Sequence, residues 1–171
     1  MPRLESTHLF GLDGLVNVGK VTEGVYRGAD PAPEGFKTLA DVGFKTILNL
    51  SHENDDNFVR PFGIREIRLP MGFFGEVEGA KVRKAVALLS DASLHPIYVH
   101  CAQGRDRTGM VVACYRIESG WPTKEAIDEM ESFGFHYVWS HFLEFVQGYR
   151  KGGGRENRRS HECVPPPIGG R

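Results

Sequence analysis

The sequence predicts a single α/β domain: a mostly parallel central sheet flanked by helices. Three observations predict it. Runs of β-prone residues alternate with segments of helical period along most of the chain. One strand-like run, Ile97–Tyr98–Val99, leads through a short loop into Thr108–Ser119, a segment apolar on nearly all sides. A helix of that kind is packed on every face, at the centre of a domain. Finally, 171 residues suit one domain with a tail, and no internal repeat divides them.

The elements follow in order. Residues 1–23 read as an N-terminal extension. In "GVYRGADP" a short strand, Val25–Tyr26–Arg27, is closed by turn formers. "PEGFKTLADVG" is a helix: Pro33 suits its start, Phe36, Leu39 and Ala40 share a face, and Gly43 suits its exit. Phe44–Ser51 is β-rich and reads as a buried strand. A polar stretch then holds one short helix before Pro61. Ile64–Pro70 alternates apolar and charged residues, as a half-exposed strand does. Met71–Gly79, with three glycines and two aromatics, is a loop. Val82, Val86 and Leu89 mark an amphipathic helix over Ala80–Ala92. After the central helix Thr123 is a suitable N-cap for "KEAIDEMESFG", with Ile127, Met130 and Phe133 buried. Trp139–Arg150 is the last helix, with Phe142, Phe145, Val146 and Tyr149 on one side. Residues 24–150 thus make the domain. Residues 151–171, rich in glycine, arginine and proline, form a tail expected to be disordered.

Composition excludes several function classes. The net charge of −1 argues against nucleic acid or an anionic membrane as partner. No apolar run has the length of a membrane span. The N-terminus lacks the basic start and apolar core of a signal peptide, although a signal already removed would leave no trace. Three cysteines, Cys101, Cys114 and Cys163, with no C-x-x-C pair, give neither a zinc site nor a disulfide framework. A reducing, cytoplasmic setting fits them.

The chemistry is concentrated in "HCAQGRDRTG", His100–Gly109. A loop between the carboxyl end of a strand and the start of a buried helix is where open α/β sheets place ligands. Unpaired backbone N–H groups and the helix dipole make an anion cradle there. Ala102, Gln103, Gly104, Arg105, Asp106 and Arg107 would line it, with Gly104 allowing the tight curl and Arg107 giving a planar, two-pronged donor to phosphate oxygens. Thiolates are stabilised at helix N-termini beside arginine, so Cys101 is expected to be nucleophilic at neutral pH. Thr108 can hydrogen-bond the sulfur as it leaves. A lone cysteine is more often simply buried; here strand, H-C-x5-R-T-G and buried helix coincide.

The segment resembles the signature H-C-x5-R-S/T-G of the cysteine-dependent protein tyrosine phosphatase superfamily, in its compact dual-specificity branch. "VYRGADP" and "TILNLS" are similar to early strands of small bacterial members. The resemblance implies a phosphatase-type fold and a phosphomonoesterase working through a cysteinyl-phosphate. In it Cys101 is the nucleophile, Arg107 and the loop amides bind phosphate, Thr108 assists thiolate departure and His100 ties the loop together. It implies no metal and no cofactor. The partner is a phosphorylated small molecule or a phosphoprotein.

These enzymes usually carry a general-acid aspartate on a separate loop ahead of the cysteine. That region here, "RLPMGFFGEVEG", holds only Glu76 and Glu78 as carboxylates. An acid should exist unless the leaving group is already good. Asp106 is one candidate: C-x4-D-R-T is similar to the loops of myotubularin-type and Sac-type phosphoinositide phosphatases, and a bound dianion favours a protonated neighbour. Alternatively Asp106 orients Arg107 or caps the helix. Glu76 is the next candidate.

Arg105 is a second cation in the loop and points to a substrate with more than one phosphate. Inositol polyphosphates or phosphoinositides are the favoured substrates, by similarity to phosphoinositide phosphatases and bacterial phytases. A protein tyrosine or dual-specificity phosphatase is the alternative, with Phe73–Phe74 flanking a phenyl ring. An inactive phosphate-binding module is a further reading. A rhodanese or arsenate reductase fits less well, because the latter needs partner cysteines. Arg27 and Lys45 are candidates for the pocket rim, Cys114 for the core, and His136 for a satisfied helix-end histidine.

Overall fold

The computed structural model describes residues 7–152. Its sheet has six strands in the order β1-β2-β3-β6-β4-β5. These are β1 (Thr7–Leu9), β2 (Val18–Lys20), β3 (Val25–Ala29), β4 (Thr46–Asn49), β5 (Arg65–Arg68) and β6 (Ile97–Cys101). β3, β6, β4 and β5 run parallel, while β1 and β2 join antiparallel at one edge. The sequence reading places the first strand at Val25 and does not foresee β1 and β2. Three-residue strands such as "THL" and "VGK" are too short to show a period.

Six α-helices cover the sheet: α1 (Pro33–Val42), α2 (Asp56–Val59), α3 (Gly79–Ser90), α4 (Asp106–Glu118), α5 (Thr123–Ser132) and α6 (Ser140–Gly148). The pleat of β6 divides the core. Ile97, Val99 and Cys101 face α3–α6, with Leu89, Met110 and Phe142. Tyr98 faces α1, where it meets Phe36, Leu39 and Ile47. All five residues of β6 are buried, as its central place requires.

Most expected elements occur within two residues of their expected ends. Gly43 closes α1 at φ 96°. The helix before Pro61 is α2, and a 3-10 turn over Arg60–Phe62 carries the chain through the proline. Two details differ. Pro122, not Thr123, occupies the N-cap of α5, without a side-chain bond to the helix. The central helix begins at Asp106, two residues earlier than the apolar pattern shows, so Arg107 lies in its first turn. No helix among the described residues is long and apolar enough to cross a membrane. Cys163 and the tail arginines Arg155, Arg158 and Arg159 lie outside the described residues.

Candidate active site

β6 ends at Cys101 between the carboxyl ends of β3 and β4, in register with Ala29 on one side and, through His100, with Asn49 on the other. Ala102–Arg105 then curl into α4. Three carbonyls of the curl are tied outward. Ala102 O accepts from the amide of Asp30 at 3.3 Å. Gln103 O accepts from Asn17 Nδ2 at 3.2 Å, and Gly104 O from Arg27 Nη2 at 2.9 Å. In a trans peptide the N–H opposes the C=O. The amides of Gln103, Gly104 and Arg105 are therefore turned the other way, inward, as an anion cradle needs. Gly104 is required twice over. Its φ is +66°, and a Cβ there would lie 2.3 Å from the carbonyl carbon of Gly28.

Cys101 is a free, buried thiol at the floor of this curl, at the positive end of a 13-residue helix. Arg107 is 3 % exposed. Its Nη1 donates to Leu50 O and Met71 O at 3.3 and 3.1 Å, and its guanidinium lies 4.0 Å over the Phe73 ring. Its Nε and the hydroxyl of fully buried Thr108 have no hydrogen-bond partner. Buried polar atoms without partners cost free energy and are rare in folded proteins. Both belong to the first turn of α4, directly after the curl that follows Cys101, where a bound anion could satisfy them.

Asp106 is buried and bonded to His136. Its Oδ1 accepts from the backbone N–H of His136 at 2.8 Å, and His136 Nδ1 lies 3.0 Å from its Oδ2. Arg105 Nη1 reaches His136 Nε2 at 3.1 Å. Glu76 is exposed on the Met71–Gly79 loop, whose Phe73 packs on both Arg107 and Trp139. Its neighbour Glu78 pairs with Lys81 at 2.9 Å. Phe74 is 87 % exposed and stands edge-on to Trp139.

His100 places its ring between two carboxylates, Nδ1 3.5 Å from Asp30 and Nε2 3.0 Å from Asp55. Among the described residues these three form the one group with donor atoms close enough to hold a metal. One donor atom from each residue lies within 4.8 Å of the others, and the two ring nitrogens approach different carboxylates. Burial pushes the Asp30 carboxyl up, His100 draws it down, and Asp55 and Glu53 push it up further.

Sequence reasoning misplaced several groups. Arg27 is not at the rim but fully buried beneath the loop, 4.0 Å over the Phe133 ring. Burial lowers its guanidinium to about 10, against the pull of Glu129 and Cys101. Lys45 is exposed at the amino end of β4, the end of the sheet opposite the loop. His136 bonds to the loop's own Asp106 and Arg105 rather than to its helix. Asn17, at φ 53°, was not singled out at all. Cys114 is in the core as expected, its thiol pushed up by burial.

The family model described as "Tyrosine phosphatase family" matches residues 15–161. The chain belongs to that family. Among curated relatives it is 29% identical over 129 residues to inositol diphosphatase DSP4 of Arabidopsis thaliana, covering 69% of this chain and 64% of that one. It is 29% identical over 126 residues to the dual specificity protein phosphatase TpbA of Pseudomonas aeruginosa, covering 72% and 57%. The chain thus spans less than two thirds of the length of either relative. The core catalytic domain of the PP-IP phosphatase SIW14 from S. cerevisiae superposes with a TM-score of 0.73 at 26% identity, covering 81% of this chain and 88% of that one. The phosphatase-type α/β fold is shared throughout.

Proposed function

We propose that the chain is a cysteine-dependent phosphatase that releases phosphate from inositol polyphosphates. The observation that supports this reading is the sequence of parts at the end of β6: a buried Cys101, a curl whose amides turn inward, and a first turn of α4 in which buried Arg107 Nε and Thr108 Oγ1 have no hydrogen-bond partner. In the reaction Cys101 Sγ attacks phosphorus and the bond from phosphorus to the leaving oxygen breaks, its electron pair going to that oxygen. Water then attacks the cysteinyl-phosphate, the S–P bond breaks, and inorganic phosphate and the thiolate are regenerated. Arg107 and the loop amides hold the equatorial oxygens, where charge spreads in the transition state. The Thr108 hydroxyl donates to the departing sulfur.

Of the two carboxylates considered as proton donor, Asp106 spends both oxygens as acceptors toward His136. Glu76 stands exposed on the loop that packs on Arg107 and is the donor we assign. An exposed glutamate suits a reaction that asks little of its acid. A diphosphate group is such a case, because the leaving group is itself a phosphate rather than an alkoxide. The relatives DSP4 and SIW14, both named inositol diphosphatases, point the same way. The free thiols suit a reducing compartment such as the cytoplasm.

Exposed Phe74 beside Trp139, with the name of TpbA, favours phosphotyrosine as a second reading. Phosphate release from a panel of inositol diphosphates, inositol hexakisphosphate and phosphotyrosyl peptides decides between them. Preference for the inositol compounds by tenfold or more in kcat/KM is expected, with all release lost in Cys101→Ser. Preference for the peptides would overturn the substrate choice. No release from p-nitrophenyl phosphate under reducing conditions would leave a phosphate-binding module in place of an enzyme.

A further inference from the structure

We propose that His136, outside the signature loop, is a positioning residue that sets substrate selectivity by holding Arg105 for a second phosphate. The inference deepens the reading above and rests on its phosphate loop. The hydrogen bonds run in one direction. Asp106 is anchored first, by the backbone N–H of His136 at 2.8 Å. Its carboxylate takes the imidazole Nδ1–H at 3.0 Å, which fixes the tautomer and leaves Nε2 as acceptor. Nε2 then accepts from Arg105 Nη1 at 3.1 Å.

The arginine stem is placed as well. It crosses Gly134, where a Cβ would lie 3.4 Å from Arg105 Cδ and Nε, and Gly134 has φ +86°. A side chain at 134 would strain its own backbone, so the stem runs in contact with a bare glycine. One of five guanidinium donors is spent on His136. The others remain for an anion, and part of the rotamer entropy of a long side chain is lost before substrate arrives.

Arg105 and Arg107 flank the anchored Asp106 in sequence. The same aspartate thus fixes one cation through His136 and precedes the other in the first turn of α4. A single phosphate needs only Arg107 and the amides. A second phosphate on the same ring meets Arg105, and its affinity depends on a residue that touches neither phosphate. Asp106 is, in this arrangement, an anchor.

The test compares His136→Leu, His136→Gln and Arg105→Ala in the full chain. Each is assayed for KM and kcat on inositol hexakisphosphate and on p-nitrophenyl phosphate. In the Cys101→Ser background each is also titrated calorimetrically with inositol hexakisphosphate and with inorganic phosphate. His136→Leu should reduce the preference for inositol hexakisphosphate over the single-phosphate probe about tenfold, the value of one charge-assisted hydrogen bond. The loss should lie in KM and in calorimetric affinity. His136→Gln, which keeps an acceptor toward Arg105, should recover most of it. In the double variant His136→Leu/Arg105→Ala the losses should not add. Equal losses on both probes would mean that His136 merely supports the fold, and no loss on either would mean that Arg105 needs no holding; each overturns the proposal. Selective loss of calorimetric affinity in a protein that turns over neither probe would sink the catalytic reading and leave this one standing.

Discussion

One carboxylate, Glu129, compensates two buried arginines, and its removal is the sharpest test of how the site is supported. Arg116 in α4 meets it at 2.9 Å through Nη2, and Arg116 Nε lies 3.2 Å from each of its oxygens. The two side chains are 5 % and 2 % exposed. Beneath the phosphate loop, fully buried Arg27 is held charged first of all by the same Glu129. Removing one partner of a buried ion pair costs about 3–5 kcal/mol, because the remaining charge stays buried. Glu129→Gln should therefore cost at least about 3 kcal/mol, a large share of the roughly 5–15 kcal/mol that holds a domain together. For a chain of this size that is a fall in Tm of about 6–20 °C. Urea unfolding read by circular dichroism, with an unchanged m-value, measures it. The control is Asp128→Asn on the same helix, whose pair with Lys124 is exposed and screened by solvent, so its loss should be near neutral. If Glu129→Gln is as mild as Asp128→Asn, the buried arginines are compensated elsewhere and the reasoning fails.

Gly104→Ala should lower kcat on p-nitrophenyl phosphate by at least about 100-fold. The left-handed backbone costs roughly 1–2 kcal/mol, and the new Cβ would force the curl away from β3. Retention of more than about a tenth of wild-type kcat would show that the loop tolerates the shift. Phe73→Ala removes the ring under Arg107 and should cost about 2–30-fold in kcat/KM, the range of a cation–π contact of about 0.5–2 kcal/mol. An unchanged value would show that Leu50 O and Met71 O hold the guanidinium alone. Asp30→Asn should raise Tm near neutral pH. Burial lifts the Asp30 carboxyl above its unfolded value, so its contribution to stability is present below the unfolded value and lost as pH rises through the folded one. The gain should shrink as pH falls through the folded value and vanish below about pH 3, where the folded and unfolded carboxyls are both protonated. A lower Tm at neutral pH would show that attraction to His100 outweighs desolvation.

The proposed nucleophile, the proposed phosphate-binding arginine and the curl between them are legible because ten adjacent residues carry them. Strand, cysteine, glycine, arginine and apolar helix each leave a local mark. The supports of the curl leave none. Asn17, Arg27 and His136 act on Gln103, Gly104, Asp106 and Arg105 from far away in the chain. Nothing in "VYRGA" distinguishes an arginine buried under a loop from one at a rim, because strand alternation gives a face but not what covers it. Helix periodicity failed at α4 for a related reason. Its first turn is buried against the site rather than the apolar core, so Asp106 and Arg107 are helical without looking so. Asp106 shows the consequence for function. Its position in the motif makes it a candidate acid, and only the structure shows that its carboxylate is bonded to His136, thirty positions on. Asp106 engages His136 with both oxygens, and a proton donor must stand where its proton can reach the leaving oxygen. On the function proposed above, the phosphate loop supplies nucleophile and binding groups. In that proposal the proton, where a substrate needs one, comes from Glu76 on the Met71–Gly79 loop, and a diphosphate substrate lightens that demand at its source.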